Sequence, residues 1–377
     1  MGINFSSYPN ITKLTIGNNV KCNQNFQNAF RGMKSMISCN IPTSNIVDMS
    51  NAFFNCDNLT SNPVCNNKTT NMFQSYSNCI NLTGSPVCGD KVVNFSYTYH
   101  GCEKLTGKPV CGNNVVDMYY AYYNCSNLTG SPVCGSKVTD FSEAYGGCTN
   151  LTGAPVCGAN ITRMDFAYSR CYNLTGSPVC GANVTSMHGT YAYCRNLTGS
   201  PVCGDKVVYF NNAYQGCTKL TGSPVCSNNA MVMVSTYDNC VNLTGAPVCG
   251  DMITDMSFAY DNCVNLTGAP VCGPNVTSLW GTYKYCRNLC GNAYFYSNDV
   301  TKADSCFYER NTSKRLNIYA HVNSATINSL LITTNNSIVG KNITWSSASN
   351  YHYNTQYNIY IYSTYNVARS RYDNYDD

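Results

Sequence analysis

Cysteine is the residue in this chain whose type and spacing most invite chemistry. There are 25 cysteines in 377 residues. One series falls at Cys56, Cys79, Cys102, Cys125, Cys148, Cys171, Cys194, Cys217, Cys240, Cys263 and Cys286. A second runs from Cys65 through Cys134 and Cys157 to Cys272. Both advance by 23 residues at every step. Thiols can cross-link, bind metal, attack as nucleophiles or simply fill space. No Cys-x-x-Cys pair or Cys/His cluster has the spacing of a zinc site. Pairing one series with the other requires Cα atoms within about 7 Å. Eight intervening residues at ~3.3 Å each, if extended, hold them much farther apart. Neighbours within one series lie one coil apart, about 4.8 Å, with side chains pointing the same way, which makes poor disulfide angles. The favoured reading is two ladders of reduced thiols acting as small apolar side chains. Systematic disulfides come second and metal binding third. Cys22, Cys39, Cys290 and Cys306 stand outside both series, and Cys290 with Cys306 could close a disulfide at the end of the repeat.

Other reactive groups are few. The four histidines, His100, His188, His321 and His352, sit in no nucleophile or metal motif. Several of the 19 acidic residues, Asp48, Asp117, Asp140 and Asp255 among them, recur in one slot of the repeat, where a turn cap is expected. The expectation is therefore a protein with no catalytic residue, metal or cofactor. Charged residues are 11% of the chain, against about 25% in ordinary domains. The net charge of +4 builds no basic stripe, which argues against nucleic acid as a partner. No stretch reaches the length of a membrane span, and Met1 to Val20 holds no signal-type apolar run. Folding in a reducing cytoplasm follows as the expectation.

The elements that must position these residues come from the period. Around each first-series cysteine, Leu stands three residues later, as Leu128 and Leu151, and Val eight later. An aromatic stands three before, as Tyr122, Tyr145 and Tyr168. Ala, Thr or Ser stands four before, a large apolar residue seven before and Val or Ile ten before in most units. Such strict length within one chain means that the units stack, because a single bulge would break contact with the next coil. The expected fold is a repeat solenoid with short parallel strands and about 11 coils. Its interior is built from ladders through Cys125, Cys148, Cys171, Cys134, Cys157, Tyr122, Tyr145, Tyr168, Leu128 and Leu151. Leu151, Ala154 and Val156 have strand spacing, but Pro in the same segment of every unit removes a donor and must keep any sheet short. Asn-Leu-Thr recurs as a formal glycosylation sequon. The stronger reading gives its Asn and Thr to backbone groups at a turn.

The frame Val138-Thr139-Asp140-Phe141-Ser142-Glu143-Ala144-Tyr145-Gly146-Gly147-Cys148-Thr149-Asn150-Leu151-Thr152 resembles BspA-like leucine-rich repeats, over roughly 20–292. The resemblance implies a right-handed coil and an adhesive or recognition role. The short Gly-Ser/Ala-Pro-Val-Cys-Gly after Leu departs from the family, which commonly has a longer strand and loop there.

Function in a solenoid lies where residues vary on a fixed frame. The varied positions carry Tyr97, His100, Tyr119, Tyr120, Tyr123, Glu143, Arg163, Arg170, Tyr172 and Tyr209. The candidates chosen for ligand binding are His188, Tyr193, Arg195, Trp280, Tyr285 and Arg287, since exposed Tyr, Trp and Arg give rigid contact area.

At the ends, 1–19 reads as a cap with a strand near Ile11–Ile16, 20–292 as the solenoid, and 293–377 as a small all-β domain. Strands are expected at Arg315–Val322, Ile338–Ser346 and Tyr357–Tyr365. Ser313-Lys-Arg-Leu-Asn-Ile-Tyr, Asn342-Ile-Thr-Trp and Tyr357-Asn-Ile-Tyr-Ile-Tyr resemble carboxy-terminal modules of phage tail and other virion-associated proteins. The resulting expectation is a non-enzymatic attachment protein on a virion or cell surface. Its partners would be a bacterial surface glycan or protein, further virion subunits and copies of itself. A cellular BspA-like adhesin and a purely structural assembly protein are the alternatives.

Overall fold

A computed structural model describes residues 4–17, 24–41, 44–297, 299–308, 316–321, 351–354 and 359–364. The chain forms two compact units, Met1–Thr198 and Gly199–Asp377. Both are strand-poor stacks of 23-residue coils. No helix occurs among the described residues, and no helix there is long and apolar enough to cross a membrane.

The first unit opens on β1 (Lys13–Thr15), which pairs in parallel with β2 (Ser38–Asn40). β1 lies inside the strand expected near Ile11–Ile16. Beyond it the coils stack without strands. The paired backbone shrinks to one parallel bridge per coil, eight residues before the first cysteine, as in Asp117↔Asp140 and Asp140↔Arg163. This corrects the expected strand at Leu151–Val156, which forms no ladder. Proline in each such segment cannot donate, so the pairing moves to a stretch without one.

A tyrosine hydroxyl takes over the lost backbone bonds. Tyr99 Oη accepts from Val87 N at 2.9 Å and donates to Val87 O at 2.9 Å. Tyr145 does the same to Val133 at 3.1 and 2.8 Å. The rings that carry these hydroxyls are buried and stacked, with Tyr76–Tyr99 centroids 5.5 Å apart and 7° from parallel. Tyr122, Tyr145 and Tyr168 continue the column with no exposed surface. Where no proline stands thirteen residues before it, the stacked aromatic has no hydroxyl. Twelve residues before Phe53 the chain reads Asn40-Ile41, and Asn40 ends β2.

The interior follows the sequence frame. Cys125, Cys148, Cys171, Leu128 and Leu151 are fully buried. Thiols of the first column donate to a carbonyl in the preceding coil, as Cys148 Sγ to Tyr122 O at 3.0 Å and Cys263 Sγ to Tyr237 O at 3.0 Å. Cys134 and Cys157, expected in the core, are only half-buried. They lie under the glycine that follows the second cysteine of the next coil. A Cβ on Gly158 would stand 3.1 Å from Cys134 Sγ. No disulfide forms among the described cysteines, Cys290 and Cys306, the pair considered for a closing bridge, included. Cys22 lies outside the described residues.

Between Asp140 and Leu151 the backbone N–H groups alternate. Phe141, Glu143, Tyr145 and Gly147 donate to the next coil, at Arg163, Asp165, Ala167 and Ser169. Ala144, Gly146, Cys148 and Leu151 donate three residues back within their own coil. The recurrent Asp holds the start of this arc, since Asp140 Oδ1 accepts from Ser142 N at 2.9 Å and Asp117 Oδ1 from Tyr119 N at 2.9 Å. The carboxylates in that slot therefore act as caps. The sequon asparagines likewise serve the backbone: Asn127 Nδ2 donates to Glu103 O and Asn196 Nδ2 to Tyr172 O.

The second unit repeats this scheme through Tyr214, Tyr237, Tyr260 and Tyr283, and then changes. β3 (Val271–Cys272) pairs in parallel with β4 (Gly291–Phe295), β4 with β5 (Leu316–His321), and β5 with β7 (Ile359–Thr364). β6 (Tyr351–Asn354) closes the edge antiparallel to β7. Tyr294, Tyr319, Tyr362 and Tyr351 share one register line. β5 and β7 fall within the expected strands, while Ile338–Ser346 lies outside the described residues. The ring stacked on Tyr283 is Phe307, and twelve residues before it is Phe295 of β4, again without proline.

Candidate binding face

The candidate site is the set of variable side chains borne by the arc just described. Two backbone positions in each coil adopt left-handed φ, one five residues and one immediately before the first cysteine. Gly, Asn and Gln occupy many of them, as at Gln74, Asn124, Gly147 and Asn212. Other coils place bulky residues there: Tyr97 (φ 54°), Tyr120 (φ 55°), Phe166 (φ 51°), Arg170 (φ 62°), Tyr193 (φ 63°), Phe258 (φ 55°) and Tyr285 (φ 57°). Left-handed backbone costs a bulky residue about 1–2 kcal/mol. These side chains are strained choices where a small residue would fold better.

In the first unit the strained tyrosines anchor an aromatic cluster. Tyr97 and Tyr120 stack 4.9 Å apart and 1° from parallel. Tyr119 packs edge-on to both at 5.3 and 4.6 Å. His100 stacks on Tyr123 at 5.4 Å, and Tyr120 Oη donates to Glu143 Oε1 at 2.9 Å. All six side chains are half-buried. Partial burial pushes the Tyr97 hydroxyl up to about 12 and raises the Glu143 carboxyl, while lowering His100. At neutral pH the Tyr97 and Tyr120 hydroxyls and the His100 imidazole are therefore neutral.

The six residues singled out from the sequence prove to be two copies of one arrangement. His188, Tyr193 and Arg195 hold the same three slots around Cys194 that Trp280, Tyr285 and Arg287 hold around Cys286. The first triple lies in the first unit and the second in the other. His188 packs on Phe166 at 4.6 Å, and Trp280, 47% exposed, packs on Phe258 at 4.8 Å. Glycine follows in both coils. A Cβ on Gly281 would stand 2.7 Å from the Phe258 ring, so only glycine admits that strained phenylalanine beneath it. Phe166 and Phe258 were not singled out by the sequence reading, although the shared pattern Phe-Ala-Tyr with His-Gly-Thr-Tyr or Trp-Gly-Thr-Tyr one coil later is visible in it. The triples differ at their arginines. The Arg195 guanidinium lies over Tyr172 at 5.1 Å, whereas Arg287 lines a hollow with Asn239, Asp261, Asn262 and Tyr285.

No group of three or more His, Cys, Asp or Glu placed to hold a metal ion occurs among the described residues. No protein-family model matches the chain, and no curated protein matches it.

Proposed function

We propose that this chain is a non-enzymatic binding protein that recognises a bacterial surface glycan or protein through the variable face of its coils. The observation that carries this reading is the pair of bulky tyrosines, Tyr97 and Tyr120, kept in left-handed backbone beside Tyr119, Tyr123, His100 and Glu143. Strain retained on a partly open aromatic patch fits a surface selected for contact. On this reading the solenoid is a right-handed, leucine-rich-repeat-like coil of about 11 turns over 20–292, with a cap at 1–19. The region 293–377 is a β-domain that docks the protein on further virion subunits or on copies of itself. Placement on a virion or phage tail follows from the resemblance of its carboxy-terminal sequence to virion modules; a cellular adhesin of the BspA-like kind shares the same binding face.

The test is binding of the purified full chain to intact bacteria and to a glycan array. The expected result is saturable binding that the double variant Y97N/Y120N reduces at least tenfold, while its melting temperature holds. Asparagine suits the left-handed backbone, so folding and contact are separated. Binding to neither bacteria nor glycans, or binding that ignores both this variant and Trp280→Ala, overturns the reading.

A further inference from the structure

The hollow in the second unit has a volume of about 250 Å³ and is lined by Asn239, Asp261, Asn262, Tyr285 and Arg287. Three successive coils build it. Asn239, Asn262 and Tyr285 all stand immediately before a first-column cysteine, in left-handed backbone. Behind them runs a chain of amides. Gln215 Nε2 donates to Asp238 Oδ2 at 3.0 Å, Asn239 Nδ2 to Asp238 Oδ1 at 2.6 Å, and Asn262 Nδ2 to Asn239 Oδ1 at 2.9 Å. Asp238 thus has both oxygens engaged and fixes the amides that face the hollow. Asp261 does not share this arrangement. Its Oδ1 is buried and has no hydrogen-bond partner. A buried acceptor without a partner is uncommon and marks a place where a donor belongs.

The charges around it select the ligand. Asp238 lies close enough to disfavour a second negative charge at Asp261, and Lys284 close enough to favour it. Lys284 Nζ itself sits over the Tyr285 ring at 5.0 Å. Two carboxylates oppose an anion, and Lys284 with the exposed Arg287 opposes a cation. What remains is a neutral molecule that donates to a carboxylate, accepts from a guanidinium and presents an apolar face to a tyrosine. A pocket with one aromatic wall and a few convergent polar groups is built for a small ligand of that kind.

We infer that this hollow is a subsite for a single neutral pyranose ring, with Asp261 accepting from its hydroxyls, Arg287 donating to a ring or hydroxyl oxygen, and Tyr285 packing beside the ring. The inference rests on the reading of the chain as a surface-binding protein and names the class of ligand for one site of it.

Calorimetric and saturation-transfer titrations of the full chain with methyl glycosides of glucose, galactose, mannose and N-acetylglucosamine, and with glucuronate, provide the test. At least one neutral sugar is expected to bind in the millimolar range, with glucuronate at least tenfold weaker. Asp261→Asn should weaken that sugar about tenfold, the effect of losing charge-assisted hydrogen bonds. Tyr285→Asn should remove binding while leaving the melting temperature at or above that of the wild type, because Asn239 and Asn262 already hold the equivalent positions. Binding of none of the neutral sugars, preference for glucuronate, or indifference to both variants overturns the assignment. If the chain still binds bacteria in that event, only the hollow is misassigned. If a sugar binds the hollow but no bacterium or glycan array is bound, the broader reading fails instead.

Discussion

At the scale of the residue, one hydroxyl per coil replaces a rung of sheet. Tyr145 Oη serves both the N–H and the C=O of Val133. Tyr145→Phe removes both partners and is expected to destabilise the protein by about 2–4 kcal/mol, the sum of two poorly satisfied backbone groups. Chemical denaturation checks it; a loss below about 0.5 kcal/mol would show that water replaces the hydroxyl. The thiols obey the same burial. Burial pushes Cys148 well above the ordinary thiol range, and raises the half-buried Cys134 to about 12 and Cys157 to about 11. Alkylation reads the thiolate. Iodoacetamide at pH 8 should leave both columns unmodified in the native chain and label them fully in denaturant, as mass spectrometry of peptides would report.

Acidic residues on the variable face carry a pH signature. Burial, opposed by Lys284 and reinforced by Asp238, raises the Asp261 carboxyl from 3.8 to about 6. A carboxyl whose folded value lies above its unfolded value takes its proton first in the folded state. Stability from this group therefore rises as pH falls from about 6 towards 3.8, and the ionised form costs stability above about 6. Burial raises Asp117, Glu143 and Asp238 in the same direction. His100, lowered by burial, acts oppositely below its ordinary 6.5. The comparison of wild type with Asp261→Asn cancels those shared contributions. The variant's melting temperature should exceed that of the wild type at pH 7.5 and converge on it near pH 4. Equal gains at both pH values would place the effect outside the carboxyl's ionisation.

At the scale of the element, proline and tyrosine are a matched pair. Coils with Pro thirteen residues before the aromatic carry the tyrosine that grips the following valine. Phe53 and Phe307 pair instead with Ile41 and Phe295, beside or within strands. The coil therefore has two ways to satisfy the same backbone, a strand and a phenol, and at Val271 of β3 both meet, since Tyr283 Oη donates to Val271 O at 3.2 Å. Close approach between coils at the second cysteine is the other fixed feature. A Cβ on Gly112 would stand 2.8 Å from Gly89 O and 3.1 Å from Cys88 Sγ. Gly112→Ala should cost about 1–3 kcal/mol by overpacking, read from the shift in denaturation midpoint. A neutral result would mean that neighbouring coils separate freely at this seam.

At the scale of the whole molecule, stability is a sum of coils and of the seams between them, as in other repeat proteins. Within each unit the alternating N–H groups tie one coil to the next, so an inserted residue breaks a row of bonds and displaces the ladders of that unit together. That explains why the period holds at 23 from Cys56 to Cys286. Insertion of one glycine after Gly147 should melt the chain in two transitions, or with a midpoint far below that of Gly112→Ala. A single unshifted transition would contradict the seam description.

The repeat, the buried aromatic, leucine and first cysteine columns, and the capping role of the recurrent Asp were all legible in the sequence. Each depends on a residue type recurring at one spacing, and stacking leaves such a residue one place to go. Three things were not legible. The paired backbone lies at Asp117 and Asp140 and not at Leu151–Val156, because the tyrosine hydroxyl that satisfies Val133 comes from twelve residues away and only the folded coil brings it there. Cys134 and Cys157 are half-exposed, because their cover is a glycine of the adjacent coil. The grouping of Tyr97, Tyr119, Tyr120, Tyr123 and Glu143, and the joining of Asp261 with Tyr285 and Arg287, depend on which neighbours adjacent coils bring together. Spacing decides which column a side chain joins; the contacts between columns, and so the binding chemistry, are set only when the coils pack.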